Sequence, residues 1–499
     1  MNEETAMIAA LARALRQDLA GYSAETVAEF LGEEAVAAMA REQRVPALLR
    51  CRAASCPLAA QIRLLRLGEA LTDKDASAAL PATMADTHAR DVLLVRTHAG
   101  ISARFQIVAQ EDGLLLASDL GELAGKVPNS QYVMPVGGAT RTLARLVTYR
   151  GRVLDVGTGN GALALRAARA GHNVVGTDIS TRALRFASLN AALNGVEVDL
   201  RGGSLFAPVE GLAGAEKFDT IVSNPPFVIT PQALRADGLL EYRDGGMEGD
   251  ELFVTLLRSL PAHLAPGGRA YVLGNWEVRE GEAWDERPRA WLADLGLDAW
   301  IIGRDEISPA RYAEMWLRDG GLTPHSAGYE TAYSAWLADF ERRGVASISL
   351  GYLVMGLAAG APVIRTEQIT EPVTGALREF VDTAWKGLHY RELDNAALEA
   401  RVFTQHGALE QRVHMPGVPD PFQIALTQTA GFQRSLPVNS NLAALIGACD
   451  GELTLGELIG GLASILEEEP AAISADIMPG FREALARGIV VEASENARE

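Results

Sequence analysis

The chain has 499 residues and a formal net charge of −19, from 45 Lys+Arg against 64 Asp+Glu. A length of this kind predicts about three domains, and 48% hydrophobic with 22% charged residues excludes wholesale disorder. The acidic balance excludes a protein that coats nucleic acid or anionic membrane through bulk charge, though it leaves room for a local basic groove.

Taken in chain order, the first 80 or so residues read as helices. Thr5 to Ala20 is Ala/Leu-rich, Ser23 is an expected N-cap for Ala24 to Leu31, and Gly32 is an expected stop. Helical periodicity continues through Glu33 to Arg50 and Leu58 to Leu67. Ile101 to Ala109 and Leu114 to Ser118 then read as two strands around the turn Glu111-Asp112-Gly113. Residues 1–125 are therefore expected to form a mainly helical, winged-helix-like module. Such modules bind nucleic acid, but they also serve as lids and dimer contacts.

From Arg152 strand and helix alternate. Val153–Val156, Val174–Thr177, Val196–Arg201, Thr220–Ser223 and Arg269–Leu273 read as strands. Ala162–Ala170, Thr181–Asn194 and Leu252–Leu264 read as helices. This is the pattern of an α/β, Rossmann-like doubly wound sheet. Leu297–Ile302 and Ser347–Met355 supply two further strands, for seven in all. The aromatic-rich segment 305–343 reads as a helical insertion, within an α/β domain spanning 126–362. The uncharged run Val345 to Ile364 reaches membrane-spanning length, but its glycines and Pro362 make it a buried strand plus turn. Residues 363–499 are expected to form an α+β, winged-helix-like module with helices at 441–449, 455–466 and 471–486 and a last strand at 489–491.

Cys51, Cys56 and Cys449 make neither a disulfide framework nor a zinc site. The first residues, Met1-Asn2-Glu3-Glu4, show no basic region leading into an apolar core. A reduced, cytoplasmic setting is the expectation. The eight histidines have no metal-ligand spacing, so no metal is expected.

Two segments carry chemistry. The first is Asp155-Val156-Gly157-Thr158-Gly159-Asn160-Gly161, between a strand and a helix. Its glycines permit tight turning and close ligand approach, and the helix N-terminus favours negative charge. Asp178 ends the next strand, where a carboxylate can accept both hydroxyls of a ribose. The bland alternative is a tight turn with no ligand. The second segment is Asn224-Pro225-Pro226-Phe227, after Ile221-Val222-Ser223. The prolines fix φ and remove donors. The Asn224 amide oxygen and the Pro225 carbonyl are then free to accept hydrogens from an –NH₂ group, and Phe227 to stack on a planar one. Here the alternative is a rigid turn. Trp276 is read as bordering an acceptor pocket or as packing.

Residues 132 to about 276 resemble a class I S-adenosylmethionine-dependent methyltransferase, nearest to the HemK/PrmC-like amino-group enzymes that modify release-factor glutamine. The resemblance rests on Val153 to Gly161, Asn190-Ala191-Ala192-Leu193-Asn194-Gly195 and Asn224-Pro225-Pro226-Phe227. Asp244-Gly245-Gly246-Met247-Glu248-Gly249 and Leu264-Ala265-Pro266-Gly267-Gly268 match as well. It implies that Asp155, Val156, Gly157, Thr158, Gly159 and Gly161 hold the methionine end of S-adenosylmethionine. By the same resemblance Asp178 binds the ribose, Ile179 flanks the adenine, and Ser204 and Leu205 lie beside it. Asn224 and Pro225, with Pro226 and Phe227, would hold the acceptor nitrogen next to the cofactor.

Three departures bear on the substrate. Ser204 stands where the family usually has Asp, Phe227 where the glutamine branch has Tyr, and Val133 to Thr140 only partly matches the branch's Pro-Arg-Pro-Glu-Thr segment. The acceptor is accordingly expected to be either a protein glutamine (a release-factor-like partner) or a nucleobase amine in RNA or DNA. A small-molecule N-methyltransferase and a non-catalytic cofactor-binding protein remain alternatives. No membrane partner is expected, and the oligomeric state is left open.

Overall fold

The computed structural model describes residues 3–237, 240, 242–373, 375, 377–390 and 393–493. Two compact units emerge. The first comprises 1–144, 149–296 and 305–357, and the second 145–148, 297–304 and 358–499.

The α/β pattern takes the expected form, a mostly parallel sheet with flanking helices. Its strands are β1 (Arg152–Val156), β2 (Asn173–Asp178), β3 (Asp199–Gly202), β4 (Phe218–Ser223), β5 (Leu264–Arg279), β6 (Leu297–Ile307), β7 (Val345–Leu357) and β8 (Ile364–Gln368). Among the described residues that is eight strands, six in the first unit and β6 and β8 in the second, where seven were expected. The addition is β8, which lies beyond residue 362 and has no apolar alternation to announce it. In the first unit the order is β7-β5-β4-β1-β2-β3, parallel throughout except for the antiparallel pair β5–β7. In the second unit β6 pairs in parallel with β8. β1 and β4 are buried along nearly their whole length, which is why they read as continuous apolar runs rather than alternations.

The helices α1 (Ala162–Arg169), α2 (Thr181–Asn194) and α3 (Glu251–His263) follow β1, β2 and β4. α2 is bounded as its sequence dictates. Ser180 caps its start by accepting from Ala183 N, and Gly195 ends it at φ 67°. The insertion forms α4 (Pro309–Asp319) and α5 (Tyr329–Arg342). Tyr312, Trp336 and Phe340 bury completely between these helices and the segment after β4.

The N-terminal helices run from Glu3–Asp18 to Thr87–Leu93, and the expected Ser23 cap is a full capping box with Thr26. Glu33 to Arg50 is two helices, Glu33–Met39 and Val45–Arg52. Their core continues onto α2, where Ala183, Phe186, Leu189 and Leu193 join it. Each fully buried Leu or Phe of this kind contributes about 1.5–3 kcal/mol. The expected strand Ile101 to Ala109 is instead two strands. Gly100–Ala103 pairs with Leu94–Thr97, and Gln106–Ala109 pairs with Leu115–Ser118. The break falls at Arg104-Phe105: Arg104 N still donates to Leu93 O at 2.7 Å, one step further along the first ladder, and the second ladder opens only at Gln106.

The second unit also contains the helix α6 (Leu377–Tyr390) and two three-stranded antiparallel sheets. One places β9 (Val402–Gln405) between Asp450–Thr454 and Val490–Glu492. The other is a meander of β10 (Ala408–His414), β11 (Pro421–Gln428) and β12 (Ser435–Val438). The expected helices appear as Ser440–Gly447, Leu455–Leu466 and Pro470–Arg487. No helix among the described residues is long and apolar enough to cross a membrane, and Val345 to Leu357 is strand β7.

Candidate active site

The glycine loop leaves the carboxyl end of β1. Gly157, Gly159 and Gly161 take φ of 71°, 57° and 85°, values that disfavour any side chain. A Cβ at Gly161 would also sit 2.6 Å from Leu165 Cδ1, so this glycine lets α1 close onto the loop. At Gly159 no heavy atom lies within 4 Å of that position, leaving open space above the backbone. The N–H groups of Gly157 and Thr158 both donate to Thr177 O at 2.9 Å, which fastens the loop to β2.

Asp155 is 1% exposed. Its Oδ2 accepts from Thr158 Oγ1 (2.7 Å) and Ala164 N (3.0 Å), whereas Oδ1 is buried with no partner. Burial pushes its carboxyl up to about 7, opposed by the Thr158 and Ala164 hydrogen bonds and assisted by the nearby charge of Asp178. Val156 is buried, and its carbonyl accepts from Ser223 Oγ at 2.8 Å.

Asp178 lies at the end of β2. Its Oδ2 accepts from Gly159 N and its Oδ1 from Ser180 N, each at 2.8 Å. Beside it Ile179 is 68% exposed, and Ser204 is exposed on the turn after β3. Leu205 adopts φ 48°, and its carbonyl accepts from Thr177 Oγ1 at 3.0 Å. The glycine loop, Asp178, Ile179, Ser204 and Leu205 thus come together at the carboxyl ends of the strands, where open α/β sheets bind ligands.

The Asn-Pro-Pro-Phe segment leaves the neighbouring β4. The space beside Gly157 faces Pro225, with a Cβ there 4.0 Å from Pro225 Cα. Asn224 is half-buried and donates from Nδ2 to Thr140 Oγ1 at 2.9 Å. Sequence reasoning missed Thr140 as a partner of Asn224, because the two lie 84 positions apart. Phe227 packs edge-on to Trp316 of α4, with centroids 6.2 Å apart. Downstream, Val228 N donates to Arg243 O (2.8 Å) and Gly245 N to Val228 O (3.3 Å), strapping the segment from 244 to 249 to the motif. Tyr312 of α4 accepts from Ile229 N at 3.1 Å and from Asn275 Nδ2. Trp276 packs rather than lining a pocket. It is fully buried, donates to Trp284 O at 2.6 Å and stacks with Phe253.

Asn190 and Asn194 of α2 have a role their spacing did not disclose. Asn190 Oδ1 accepts from Ala117 N (2.7 Å), while its Nδ2 donates to Ala117 O (3.0 Å) and to Asn160 O in the glycine loop (2.8 Å). Asn194 makes the equivalent pair with Leu115. The strand Leu115–Ser118 is thereby tied to the loop through one buried amide.

Two family models match. Residues 19–104 match a domain described as of unknown function (DUF7059), and residues 136–237 match the methyltransferase small domain. The chain is 35% identical to the release factor glutamine methyltransferase of Deinococcus radiodurans over 40% of this chain and 70% of that one. It is 38% identical to the ribosomal protein uL3 glutamine methyltransferase of Bradyrhizobium diazoefficiens over 31% of this chain, spanning about half (51%) of that enzyme's length. It is 30% identical to the ribosomal RNA small subunit methyltransferase C of Alcanivorax borkumensis over 26% of this chain and 33% of that one. Asp155, the three loop glycines and the Asn-Pro-Pro-Phe turn, set side by side at the strand ends, agree with these likenesses, and the chain belongs to the HemK/PrmC-like class I S-adenosylmethionine-dependent methyltransferases.

Proposed function

We propose that this enzyme methylates the side-chain amide nitrogen of a glutamine in a protein partner, with a release-factor-like or ribosomal protein as the substrate class. The observation that carries the proposal is the Asn224–Thr140 hydrogen bond of 2.9 Å. Donating Nδ2 to Thr140 leaves Asn224 Oδ1 as a free acceptor next to the Pro225 carbonyl, a pair suited to the two hydrogens of a primary amide.

The residues present fit S-adenosylmethionine. The unpartnered Asp155 Oδ1 suits an ammonium group, the open space at Gly159 suits close approach to the backbone, and Asp178 suits two hydroxyls. We assign Asp155, Val156, Gly157, Thr158, Gly159 and Gly161 to the methionine end, Asp178 to the ribose, and Ile179, Ser204 and Leu205 to the adenine surroundings. Bound there, the cofactor supplies a methyl group on a sulfonium, already electrophilic. Asn224 Oδ1 and Pro225 O orient the amide nitrogen and stabilise the positive charge that develops on it. Pro226 fixes the turn, and Phe227, backed by Trp316, flanks the planar acceptor. Holding the nitrogen in line can supply about 7–11 kcal/mol of the barrier. The N-protonated product amide is acidic enough to release its proton to water, so no side chain is needed as a strong base.

We further take residues 126–362 as the catalytic part and 1–125 and 363–499 as flanking modules that read the substrate, in a reduced, cytoplasmic setting. A nucleobase amine is the second reading, favoured by Phe at 227 and by the likeness to the ribosomal RNA enzyme. The test incubates the full chain with radiolabelled S-adenosylmethionine and cell extract, followed by protease or nuclease. Label released by protease and recovered as N5-methylglutamine is expected. Label released by nuclease overturns the glutamine reading in favour of a base, and label indifferent to both points to a small molecule. Asn224→Ala is expected to bind cofactor normally and to lose about 100-fold or more in kcat. Full turnover of that variant contradicts the assignment.

A further inference from the structure

The meander of the second unit ends in an open edge. Strand β10 (Ala408–His414) pairs only with β11 among the described strands, and six of its seven residues are exposed. Leu409 and Val413 are 60% and 53% exposed. A bare edge strand with apolar side chains is a template for another strand.

The hydrogen-bond phase says which backbone groups are free. Gly407 O accepts from Thr429 N at 2.9 Å, and the ladder pairs Leu409 with Thr427, Gln411 with Ala425 and Val413 with Gln423. In an antiparallel ladder hydrogen-bonded and non-hydrogen-bonded pairs alternate. Residues 407, 409, 411 and 413 therefore point their N–H and C=O groups at β11, and Ala408, Glu410 and Arg412 point theirs outward. The regular ladder extends to Val413, after which a bulge intervenes.

A two-fold pairing of this edge with itself must match outward groups with outward groups, which leaves three central registers. Centred on Glu410 it sets Glu410 against its own copy, and centred on Arg412 it sets Arg412 against its own copy. Centred on Gln411 it sets Glu410 opposite Arg412 of the second molecule and Arg412 opposite its Glu410. The same register lays Leu409 against the other molecule's Val413, twice, on the opposite face. Opposite charges directly across a ladder stabilise it and like charges destabilise it, so the edge is self-complementary in one register. Within the single chain Arg412 and Glu410 already form an ion pair along the strand, with both side chains partly exposed and able to exchange partners.

We propose that two copies of this chain associate through β10, with the two-fold axis at Gln411, joining the two meanders into one six-stranded antiparallel sheet. Such an isologous contact closes on itself and builds no open filament.

Light scattering or sedimentation of the full chain tests this. At micromolar concentrations the mass is expected to be twice 53.2 kDa. Glu410→Arg or Arg412→Glu alone places like charges across both symmetric contacts, and each is expected to weaken the dimer about tenfold or more. The double variant Glu410→Arg/Arg412→Glu regenerates the complement and is expected to restore it. Circular dichroism checks that each variant is folded. Independently, Gln411→Cys places two thiols on the axis, with Cα atoms about 4.5 Å apart in a non-hydrogen-bonded pair, within disulfide reach. Mild oxidation is expected to link the chains in that variant and not in the parent. A monomeric parent, dimers that survive both single reversals, or a folded double variant that stays monomeric each overturn the proposal. Capture of a different protein's strand by a monomeric chain overturns it as well.

Discussion

The two oxygens of Asp155 have different fates, one accepting from Thr158 and Ala164 and the other accepting from nothing. Burial raises this carboxyl to about 7. Between the ordinary carboxylate range and that value the folded chain binds more protons than the unfolded one, so this group's contribution to stability falls as pH rises through the window. On the proposed assignment cofactor binding runs the other way, because an ammonium group would pair with the ionised form. Calorimetric titration from pH 6 to 7.5 is expected to show affinity rising with pH. In Asp155→Asn that rise is expected to flatten, and binding at the upper end to weaken about tenfold, the worth of one charge-assisted hydrogen bond. An unchanged profile in the variant removes Asp155 from the cofactor's surroundings. If Asn224 holds the acceptor as proposed, Thr140 acts one step back, through its hydrogen bond from Asn224 Nδ2. Thr140→Val frees the Asn224 amide to rotate and is expected to lower kcat about 10- to 100-fold with the cofactor Kd unchanged. Thr140→Ser keeps the hydroxyl and is expected to keep most of the rate. Equal losses in both variants, or a loss of cofactor affinity, point to packing instead.

At the scale of elements, α2 carries more than its own helix. Truncating Asn190→Ala leaves Ala117 N–H and C=O and the Asn160 carbonyl without their partner in a buried place. A urea unfolding curve is expected to show a loss of about 3 kcal/mol, well beyond the propensity effect of the substitution. A loss below 1 kcal/mol means that water replaces the amide. The boundaries of α2 were legible because its caps, Ser180 and Gly195, act on neighbours in sequence. The glycine loop was legible for the same reason, since its φ values are local demands. The break between Ile101 and Ala109 was not. No Gly or Pro marks Arg104-Phe105, and Phe105 keeps the apolar pattern running because it is buried against Phe186 of α2. β11 was missed because its apolar residues, Ile424 to Leu426, are too few to stand out from a polar, proline-containing stretch. α6 was missed as well, its helical stripe of Leu377, Phe380, Val381, Ala384 and Leu388 going unread among polar residues. Thr140 and Asn190 needed the fold itself, because their partners lie 84 and 73 positions away.

For the whole molecule, the division into two units predicts two calorimetric unfolding transitions rather than one. The residues assigned to the cofactor all belong to the first unit. Saturating S-adenosylmethionine is expected to raise one transition by about 2.7 kcal/mol at one hundred times Kd and to leave the other in place. A single transition, or an equal shift of both, contradicts this. The units are also interleaved along the chain. The first gives up residues 297–304 to the second and recovers only with 305–357, ending in β7, whose partner β5 it meets over an eleven-residue register. That order matters on the ribosome. β5 leaves the exit tunnel with one edge bare and waits through some 65 further residues before β7 emerges, a delay of several seconds at ordinary elongation speeds of about 5–20 residues per second. The insertion of α4 and α5 is made during that wait. Nascent chains halted before residue 345 are therefore expected to expose β5 to chaperones, and those released after 357 are expected to hide it.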